Sequence, residues 1–399
     1  MRKRIGILTG GGDVQVLNTV LASAKQEAQN LNLELIGFLR GWEGVLQDNY
    51  VDLSNRTIDP AIGGTILKSS RVNINKAENG YEIALNNLKK NKIAGLIVIG
   101  GEDTLSNSFE IKEFPQILIA KTIDNDVGSL NSNNNDLRLE DIVNYFTLGF
   151  PTAAEKIVSF VSLKEGLRTT AYSHERILIV ESMGMHAGWL ALSSALGHPD
   201  LIIIPEFPLN YERFRECVLS KYASQGHLII VVAEGARWDD GSHFYTEKDE
   251  NEDFDHPRFG GSAQILKNRL KNDIANFLNP RNINSVNPSY LYRSGAPNKI
   301  DHYWAQKLGE KAVEILSAGL EKPTFLFIQK ENFGFCIKDF PLSNYGSIAD
   351  LHRFVDKRFY NPEEYQITED GKNYLREIIS EIPLDRSYGI KKEIDNAIY

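Results

Sequence analysis

Short apolar segments alternate with amphipathic segments along most of the chain, and this alternation restricts the fold more than any other feature. Residues 5–9 and 96–99 are apolar runs typical of buried strands, whereas residues 16–31 repeat apolar side chains at helical spacing. Strands that are each followed by a helix pair in parallel, and the helices then cover both faces of the sheet. The sequence therefore predicts two α/β domains, with a boundary near Phe150.

The same periodicities place the individual elements. Strands are predicted at residues 5–9, 33–38, 96–99, 117–121, 176–181, 201–205, 227–234 and 324–328. Helices are predicted at residues 16–31, 102–111, 186–196, 211–222, 262–278 and 302–316.

Composition and charge exclude several classes of protein. The chain has 399 residues, 42% of them hydrophobic and 24% charged, which excludes wholesale disorder and leaves enough apolar side chains for a large core. A formal net charge of −9 argues against a nucleic-acid partner. The two cysteines, Cys217 and Cys336, exclude a disulfide scaffold and favour a cytoplasmic location. No apolar run approaches the roughly 18 residues that span a bilayer, so we expect no membrane partner.

Three glycines and an aspartate follow the first predicted strand. Gly10, Gly11 and Gly12 allow backbone amides to approach a phosphate at the start of the next helix. The dinucleotide-binding fingerprint does not fit, because Gln15 stands at its third glycine position. The Lys-Ser/Thr signature of a phosphate-binding loop is also absent. This loop alone fits a tight turn about as well as it fits an anion site.

A second polar cluster follows the strand predicted at residues 96–99. Glu102 and Asp103 come after two glycines, at the strand end where open α/β sheets bind their ligands. Two adjacent carboxylates are costly to bury without a cation, and Mg²⁺ shared with substrate phosphates would supply one. Alternatively, the two acids only stabilise the positive end of a helix dipole.

The most informative cluster is Lys-Thr-Ile-Asp-Asn-Asp at residues 121–126. It also follows a strand, so three polar clusters are predicted to converge on one crevice. Asp124 and Asp126 point the same way if the backbone is extended, and Lys121 supplies the counter-charge that phosphates need. An Asx-turn network without a ligand is the alternative, but it requires neither the lysine nor two acids.

Several arginines and histidines are further candidates. Arginine suits bidentate phosphate binding, which makes Arg71, Arg176 and Arg293 candidates, although any single arginine is more often a surface residue. His174 and His186 are each possible bases. No nucleophilic triad surrounds them, and a lone histidine is more often structural.

Taken in order, these motifs resemble those of the phosphofructokinase family. The resemblance covers roughly residues 5–316 and rests on IGILTGGGD, GGTILKSSR, IGGEDT, KTIDND, TAYSHER, ESMGMHAGWLAL, VVAEGA and SYLYRSGAPNKID. It implies two Rossmann-like three-layer α/β/α domains with the active site in the cleft between them. The implied phosphate-donor and metal-binding domain is residues 1–150 plus about 292–350. The implied sugar-phosphate domain is residues 151–291 plus 351–399.

The resemblance also implies an activity in glycolysis. This is magnesium-dependent phosphoryl transfer from pyrophosphate to the 1-hydroxyl of fructose 6-phosphate, giving fructose 1,6-bisphosphate and phosphate. Asp103 and Lys121 match the family's pyrophosphate-using branch, whereas its ATP-using branch usually has glycine after the first motif acid. The alternatives are an ATP-dependent 6-phosphofructokinase, a kinase of another sugar phosphate such as sedoheptulose 7-phosphate, and a non-catalytic family member.

The resemblance assigns the site residues to four roles. Catalysis is assigned to Asp124 as the base, with Asp126, Lys121 and Thr122. The diphosphate is assigned to Gly11, Arg71, Asp103 and Thr104, and magnesium to Glu102 and Asp103. The sugar phosphate is assigned to Met183, Gly184, Met185, Glu234, Tyr290, Arg293 and Arg176. Arg176 is expected to reach from a neighbouring subunit, which implies a homodimer or homotetramer.

Three departures from the family pattern affect the site. Glu102 replaces the usual aspartate, and Gln15 and Val16 replace a Pro-Gly pair after the first loop. Met185 stands where the family has arginine, which removes one guanidinium from the sugar site. These changes affect the prediction of the acceptor sugar more than the prediction of the fold.

Overall fold

The computed structural model describes residues 2–130, 138–244, 247–248, 257–258, 261–275 and 279–384. Within these residues the strands are β1 (Arg4–Thr9), β2 (Glu34–Phe38), β3 (Tyr50–Asp52), β4 (Ile93–Gly100), β5 (Gln116–Thr122), β6 (Leu148–Gly149), β7 (Ile177–Ser182), β8 (Leu201–Ile203), β9 (Leu228–Ala233), β10 (Glu247–Lys248), β11 (Pro257–Arg258), β12 (Ile283–Val286), β13 (Thr324–Glu331), β14 (Gly334–Pro341), β15 (Tyr360–Asn361) and β16 (Gln366–Ile367). The α-helices are α1 (Leu17–Asn30), α2 (Trp42–Leu46), α3 (Gly80–Lys90), α4 (Glu102–Glu110), α5 (Phe150–Val161), α6 (Arg168–Ser173), α7 (Trp189–Ser193), α8 (Tyr211–Gln225), α9 (Ser262–Asp273), α10 (Lys299–Ala318) and α11 (Glu369–Arg376). Short 3₁₀ helices occupy Ile74–Lys76, Leu139–Asp141, Ser194–Gly197, Pro280–Asn282, Ser289–Tyr292, Leu342–Asn344 and Ile348–Leu351.

The larger sheet has the strand order β14-β13-β5-β4-β1-β2-β3, and β6 pairs with β5. β1 pairs in parallel with β2 and β4, and β4 pairs in parallel with β5. Only the outer pairs, β2 with β3 and β13 with β14, are antiparallel. The carboxyl ends of β1, β4 and β5 therefore lie side by side at one edge, because neighbouring parallel strands end together.

The second sheet has the order β12-β7-β9-β8, and its pairings are all parallel. Residues of β7, β8 and β9 are buried throughout, as expected for parallel strands covered on both faces. One mostly parallel sheet and one fully parallel sheet confirm the predicted α/β class. β13 joins the first sheet although it follows the second sheet in the chain. The domain limits remain a prediction, and residues 385–399 lie outside the described part of the chain.

The structure corrects several predicted elements. The elements that were not predicted are the strands β3, β6, β10, β11, β12, β14, β15 and β16 and the helices α2, α3, α5, α6 and α11. The helix predicted at residues 186–196 begins only at Trp189, because residues before it form a loop in which Gly184 has φ of +126° and the Gly188 amide donates to Glu206 Oε1 at 2.9 Å. The helix predicted at 262–278 ends at Asp273, and residues 276–278 lie outside the described residues.

One buried carboxylate joins the two halves of the chain. Asp301, near the start of α10, accepts hydrogen bonds from the backbone amides of Gly149 at 2.9 Å and Thr152 at 2.8 Å, at the start of α5. α10 also packs along α1. Through these contacts α10 links α1 of the first half of the chain to α5, the helix that leads to the second sheet. No helix in the described ranges is long and apolar enough to cross a membrane.

Candidate active site

The carboxyl ends of β1, β4 and β5 open into a cavity of about 450 Å³. Loops that follow β7 and β9 form the facing wall. The lining residues are Gly11, Gly12, Arg71, Gly101, Glu102, Asp103, Lys121, Thr122, Asp124, Asp126, Met183, Met185, His186, Glu234, Tyr290 and Arg293. The three polar clusters, separate in the sequence, therefore share one cavity with the segment that carries Arg293.

Three residues assigned to the site from the sequence do not line this cavity. Thr104 is buried on α4, and it packs so closely on Gly10 that a Cβ there would overlap its side chain. Thr104 is thus packed against the first glycine loop, and its contact with a diphosphate stays a prediction. Arg176 lies at the amino end of β7, where it donates to Thr170 Oγ1 at 3.0 Å. Gly184 lies next to the lining residue Met183, and its amide donates to Glu234 Oε1 at 3.2 Å.

The donor end of the cavity contains a buried lysine. Lys121 is 2% exposed, and its Nζ donates to the carbonyl oxygen of Gly12. Burial, followed by repulsion from Arg293, lowers the pKa of Lys121 to about 7. Gly11 has φ of +75°, a conformation that glycine adopts without strain, and it turns the first loop against this lysine. An anion bound here would restore the full charge of the lysine.

The turn after β5 presents two carboxylates. Asn125 adopts a left-handed conformation with φ of +56°, so the chain bends between Asp124 and Asp126. Burial, followed by the charge of Asp126, raises the pKa of Asp124 to about 6. Burial, followed by the charge of Glu102, also raises the pKa of Asp126. The negative charge of each neighbouring acid thus disfavours ionisation of these aspartates.

The chemistry of these acids fits a divalent cation. Among the described residues, Oδ1 of Asp124 and Oδ1 of Asp126 are buried without a hydrogen-bond partner. The described residues contain no group of three or more His, Cys, Asp or Glu side chains arranged to hold a metal unaided. Mg²⁺ characteristically takes only one or two carboxylates and completes its shell with water and substrate phosphates. The residues therefore fit magnesium that is shared with a phosphate ligand.

The facing wall carries the residues assigned to the sugar phosphate. Burial, followed by repulsion from Asp124, raises the pKa of Glu234 to about 8. A Cβ at Gly12 would lie 2.9 Å from Nη1 of Arg293, so glycine at this position leaves room for the guanidinium. Tyr290 is 74% exposed on the adjacent 3₁₀ helix. This wall combines a carboxyl group of raised pKa, a guanidinium and a phenol.

One histidine of the site was a candidate base in the sequence, and a second, His352, was missed. His186, for which a structural role was the alternative, lines the cavity, and its charge lowers the pKa of Asp124 against the effect of burial. Its position directly after Met185 was an available signal. His352 lies with Nε2 at 3.2 Å from Glu102 Oε2, and this contact raises the pKa of the imidazole. No spacing pattern connects His352 to Glu102, because it lies far beyond the matching motifs.

Comparison with known proteins agrees with this geometry. The family description "Phosphofructokinase" matches residues 4–316. The chain is 35% identical over 324 residues to the pyrophosphate–fructose 6-phosphate 1-phosphotransferase of Dictyoglomus thermophilum, covering 80% of this chain and 87% of that protein. This chain belongs to the phosphofructokinase family. It is accordingly a phosphotransferase, and the resemblance found in the motifs is confirmed.

Other members of the phosphofructokinase family are similarly related. The ATP-dependent 6-phosphofructokinase 2 of Clostridium perfringens is 34% identical over 337 residues, covering 80% of this chain and 86% of that protein. Overall identity therefore does not distinguish the donors. The crystal structure of a pyrophosphate-dependent phosphofructokinase from Marinobacter aquaeolei matches with a TM-score of 0.76 at 21% identity, covering 96% of this chain and 94% of that chain. At this identity the match supports the phosphofructokinase fold alone.

Proposed function

We propose that this chain transfers a phosphoryl group from pyrophosphate to the 1-hydroxyl of fructose 6-phosphate, giving fructose 1,6-bisphosphate and phosphate. The observation that carries the choice of donor is the buried Lys121, which shares the donor end of the cavity with Asp103. A compact diphosphate gains from the lysine, whereas the carboxylate repels the α-phosphate of a nucleotide.

Asp124 is proposed as the general base. A carboxyl group with a pKa near 6 is still mostly ionised at neutral pH, yet it is basic enough to take the proton of a hydroxyl group as the new bond forms. Asp126 and Thr122 would orient the reacting groups. Transfer of this kind depends mostly on positioning and charge stabilisation, which a polar, preorganised cavity provides.

The diphosphate would be bound by Lys121, Arg71 and the amide of Gly11. Glu102 and Asp103 would hold magnesium, which when bound neutralises phosphate charge, and Asp126, whose Oδ1 has no hydrogen-bond partner among the described residues, would help to orient it. His352, 3.2 Å from Glu102, would help to orient this longer acid toward its ligand. These side chains all lie at the carboxyl end of parallel strands or within reach of it.

The sugar phosphate would be bound by the facing wall. With a pKa of about 8, Glu234 is protonated at neutral pH and can donate a hydrogen bond to a sugar hydroxyl. Arg293 and Tyr290 would contact the phosphate, with Met183 and Gly184 beside the sugar. Arg176, which lies outside its own chain's cavity, would come from a neighbouring subunit of a homodimer or homotetramer in the cytoplasm.

Two observations favour a second candidate, an ATP-dependent kinase or a kinase of a different sugar phosphate. The Clostridium perfringens relative is named for ATP and is about as similar as the relatives named for pyrophosphate. Met185 lines the cavity, and the family resemblance places an arginine at this position. A larger sugar phosphate, such as sedoheptulose 7-phosphate, would then compete with fructose 6-phosphate.

The deciding experiment is a donor-by-acceptor screen with magnesium. Pyrophosphate and ATP would each be tested against fructose 6-phosphate and sedoheptulose 7-phosphate, with the Asp124→Asn protein as a control for contaminating activity. We expect the highest kcat/KM with pyrophosphate and fructose 6-phosphate. A higher kcat/KM with ATP would reject pyrophosphate as the donor. A preference for sedoheptulose 7-phosphate would reject fructose 6-phosphate as the acceptor.

A further inference from the structure

The turn that carries Asp124 and Asp126 is bound by a segment from beyond the region that matches the family, which ends at residue 316. Residues 351–353 lie antiparallel to residues 126–129. The amides of Gly128 and Ser129 donate to the carbonyl oxygen of Leu351 at 2.7 and 3.1 Å. The amide of Arg353 donates to the carbonyl oxygen of Asp126 at 2.7 Å. We call residues 351–376, which end with α11, the C-terminal strap.

Arg353 of this strap is fully buried beneath the turn. Its Nε and Nη2 donate to the carbonyl oxygen of Asn125 at 3.0 and 2.8 Å, and Nη2 also donates to Asn125 Oδ1. Its Nη1 donates to the carbonyl oxygens of Asn144 at 2.6 Å and Tyr145 at 3.1 Å. A planar guanidinium is the side chain that can satisfy so many fixed acceptors at once. Arg353 therefore holds the backbone of the turn at Asn125 and ties it to residues 144 and 145.

Tyr374 of α11 fixes the other end of the same asparagine. Its hydroxyl accepts a hydrogen bond from Asn125 Nδ2 at 3.1 Å and donates to the carbonyl oxygen of Tyr145. The Oδ1 atom of Asn125 accepts from the amide of Thr147 at 3.0 Å. Both ends of the Asn125 side chain are thus held, and its left-handed backbone directs the two neighbouring aspartates.

We propose that Arg353 and Tyr374 are positioning residues for phosphoryl transfer, which hold Asn125 so that Asp124 and Asp126 face the cavity. Neither side chain lines the cavity, so both act through the turn. The inference rests on the proposed function, because it takes Asp124 as the base. It makes the C-terminal strap a part of the catalytic machinery, although the strap lies beyond the family match.

Tyr374→Phe is the most conservative test, because it keeps the ring and removes only the hydroxyl. Since small misplacements of reacting groups are costly, we expect kcat to fall about tenfold, with KM for both substrates within about twofold of wild type. The matched control is Tyr360→Phe. Tyr360 is a buried tyrosine of the same strap, and its hydroxyl donates to the carbonyl oxygen of Ile202 at 2.6 Å, away from the turn.

The control separates positioning from stability. Tyr374→Phe loses two buried hydrogen bonds and Tyr360→Phe loses one, so we expect both variants to lower the midpoint of urea unfolding, Tyr374→Phe by more. Only Tyr374→Phe should lose kcat. Arg353→Lys, which keeps the charge but not the planar fork, should also lose kcat with little change in KM. Equal kcat in Tyr374→Phe and Tyr360→Phe would overturn the inference.

The two proposals fail in different ways. A wild-type protein that transfers no phosphoryl group from any donor would reject the proposed function and the positioning role together. Wild-type activity that is retained in full by both Tyr374→Phe and Arg353→Lys would reject the positioning role alone. Loss of kcat in these two variants, with Tyr360→Phe unaffected, would establish it.

Discussion

The side-chain amide of Gln15 donates a 2.6 Å hydrogen bond to the carbonyl oxygen of Tyr292, and so joins the first glycine loop to the segment that carries Arg293. The same nitrogen lies 3.3 Å from the carbonyl oxygen of Ser294. Gln15 is fully buried. In the sequence this residue was only a departure from two glycine-rich patterns. In the structure its side chain fixes the position of the first glycine loop relative to the segment that carries Arg293.

Replacing Gln15 with leucine should therefore weaken acceptor binding. Without this amide the segment around Arg293 is no longer held, and we expect KM for fructose 6-phosphate to rise about tenfold, because the charged hydrogen bond from Arg293 to the substrate phosphate would contribute roughly 1.5–3 kcal/mol. Steady-state kinetics measures the change. Gln116→Leu is the matched control, because Gln116 is equally buried and donates to the carbonyl oxygens of Ser108 and Ile111 at the far end of β5. An equal rise in KM in both variants would contradict this role.

Replacing Asp124 with asparagine should separate catalysis from folding. We expect turnover to fall by roughly 10²–10⁴, the usual contribution of a general base. The thermal midpoint should stay the same or rise, because the change removes a buried charge and its repulsion from Asp126. Kinetics and calorimetry on one preparation test both statements. Near-normal turnover would remove Asp124 from the role of base.

The raised pKa of Asp124 also predicts the pH dependence of activity. The base must be ionised, so kcat/KM should decrease as the pH falls through about 6, rather than through the ordinary value of 3.8. Asp126→Asn removes the neighbouring negative charge, so the decrease in kcat/KM at acidic pH should move to lower pH. An unchanged pH profile would show that a group other than Asp124 controls this decrease.

The same shift has the opposite sign for folding stability. A carboxyl group whose pKa is raised in the folded state contributes stability below its unfolded pKa of 3.8, and this contribution is lost as the pH rises through about 6. Without substrate, the wild type should therefore lose stability relative to Asp124→Asn between these two values. Urea midpoints measured across this range test the prediction, and parallel curves for the two proteins would reject it.

Donor choice should depend on the pair Asp103 and Lys121. The double replacement Asp103→Gly with Lys121→Gly removes the repelling carboxylate and empties the space beside Gly12 that the lysine side chain occupies. We expect measurable ATP binding by calorimetry and a strong loss of kcat/KM with pyrophosphate. Asp103→Gly alone, which leaves the lysine in place, serves as the control. No gain in nucleotide binding by the double variant would count against the steric account.

Local pattern was sufficient for the fold class and for the convergence of the polar clusters. Apolar runs alternating with helical segments require parallel strands, and the carboxyl ends of neighbouring parallel strands must meet at one edge of the sheet. Glu102, Lys121 and Asp124 could therefore be expected in one crevice, and they share one cavity. Their convergence depends on the strands that precede them, and each strand is recognisable from the hydrophobic pattern of a short stretch of sequence.

Long-range packing had to supply the rest. Thr104 packs against the first glycine loop because a helix turns its side chain onto Gly10, and Gln15 finds its partner at Tyr292. Arg353 reaches the turn at Asn125 from 228 positions away. Such contacts leave no periodicity or spacing in the chain, because they depend on how separate elements stack rather than on the conformation of any one of them. The side chains that support the site are thus the ones that sequence pattern could not reveal.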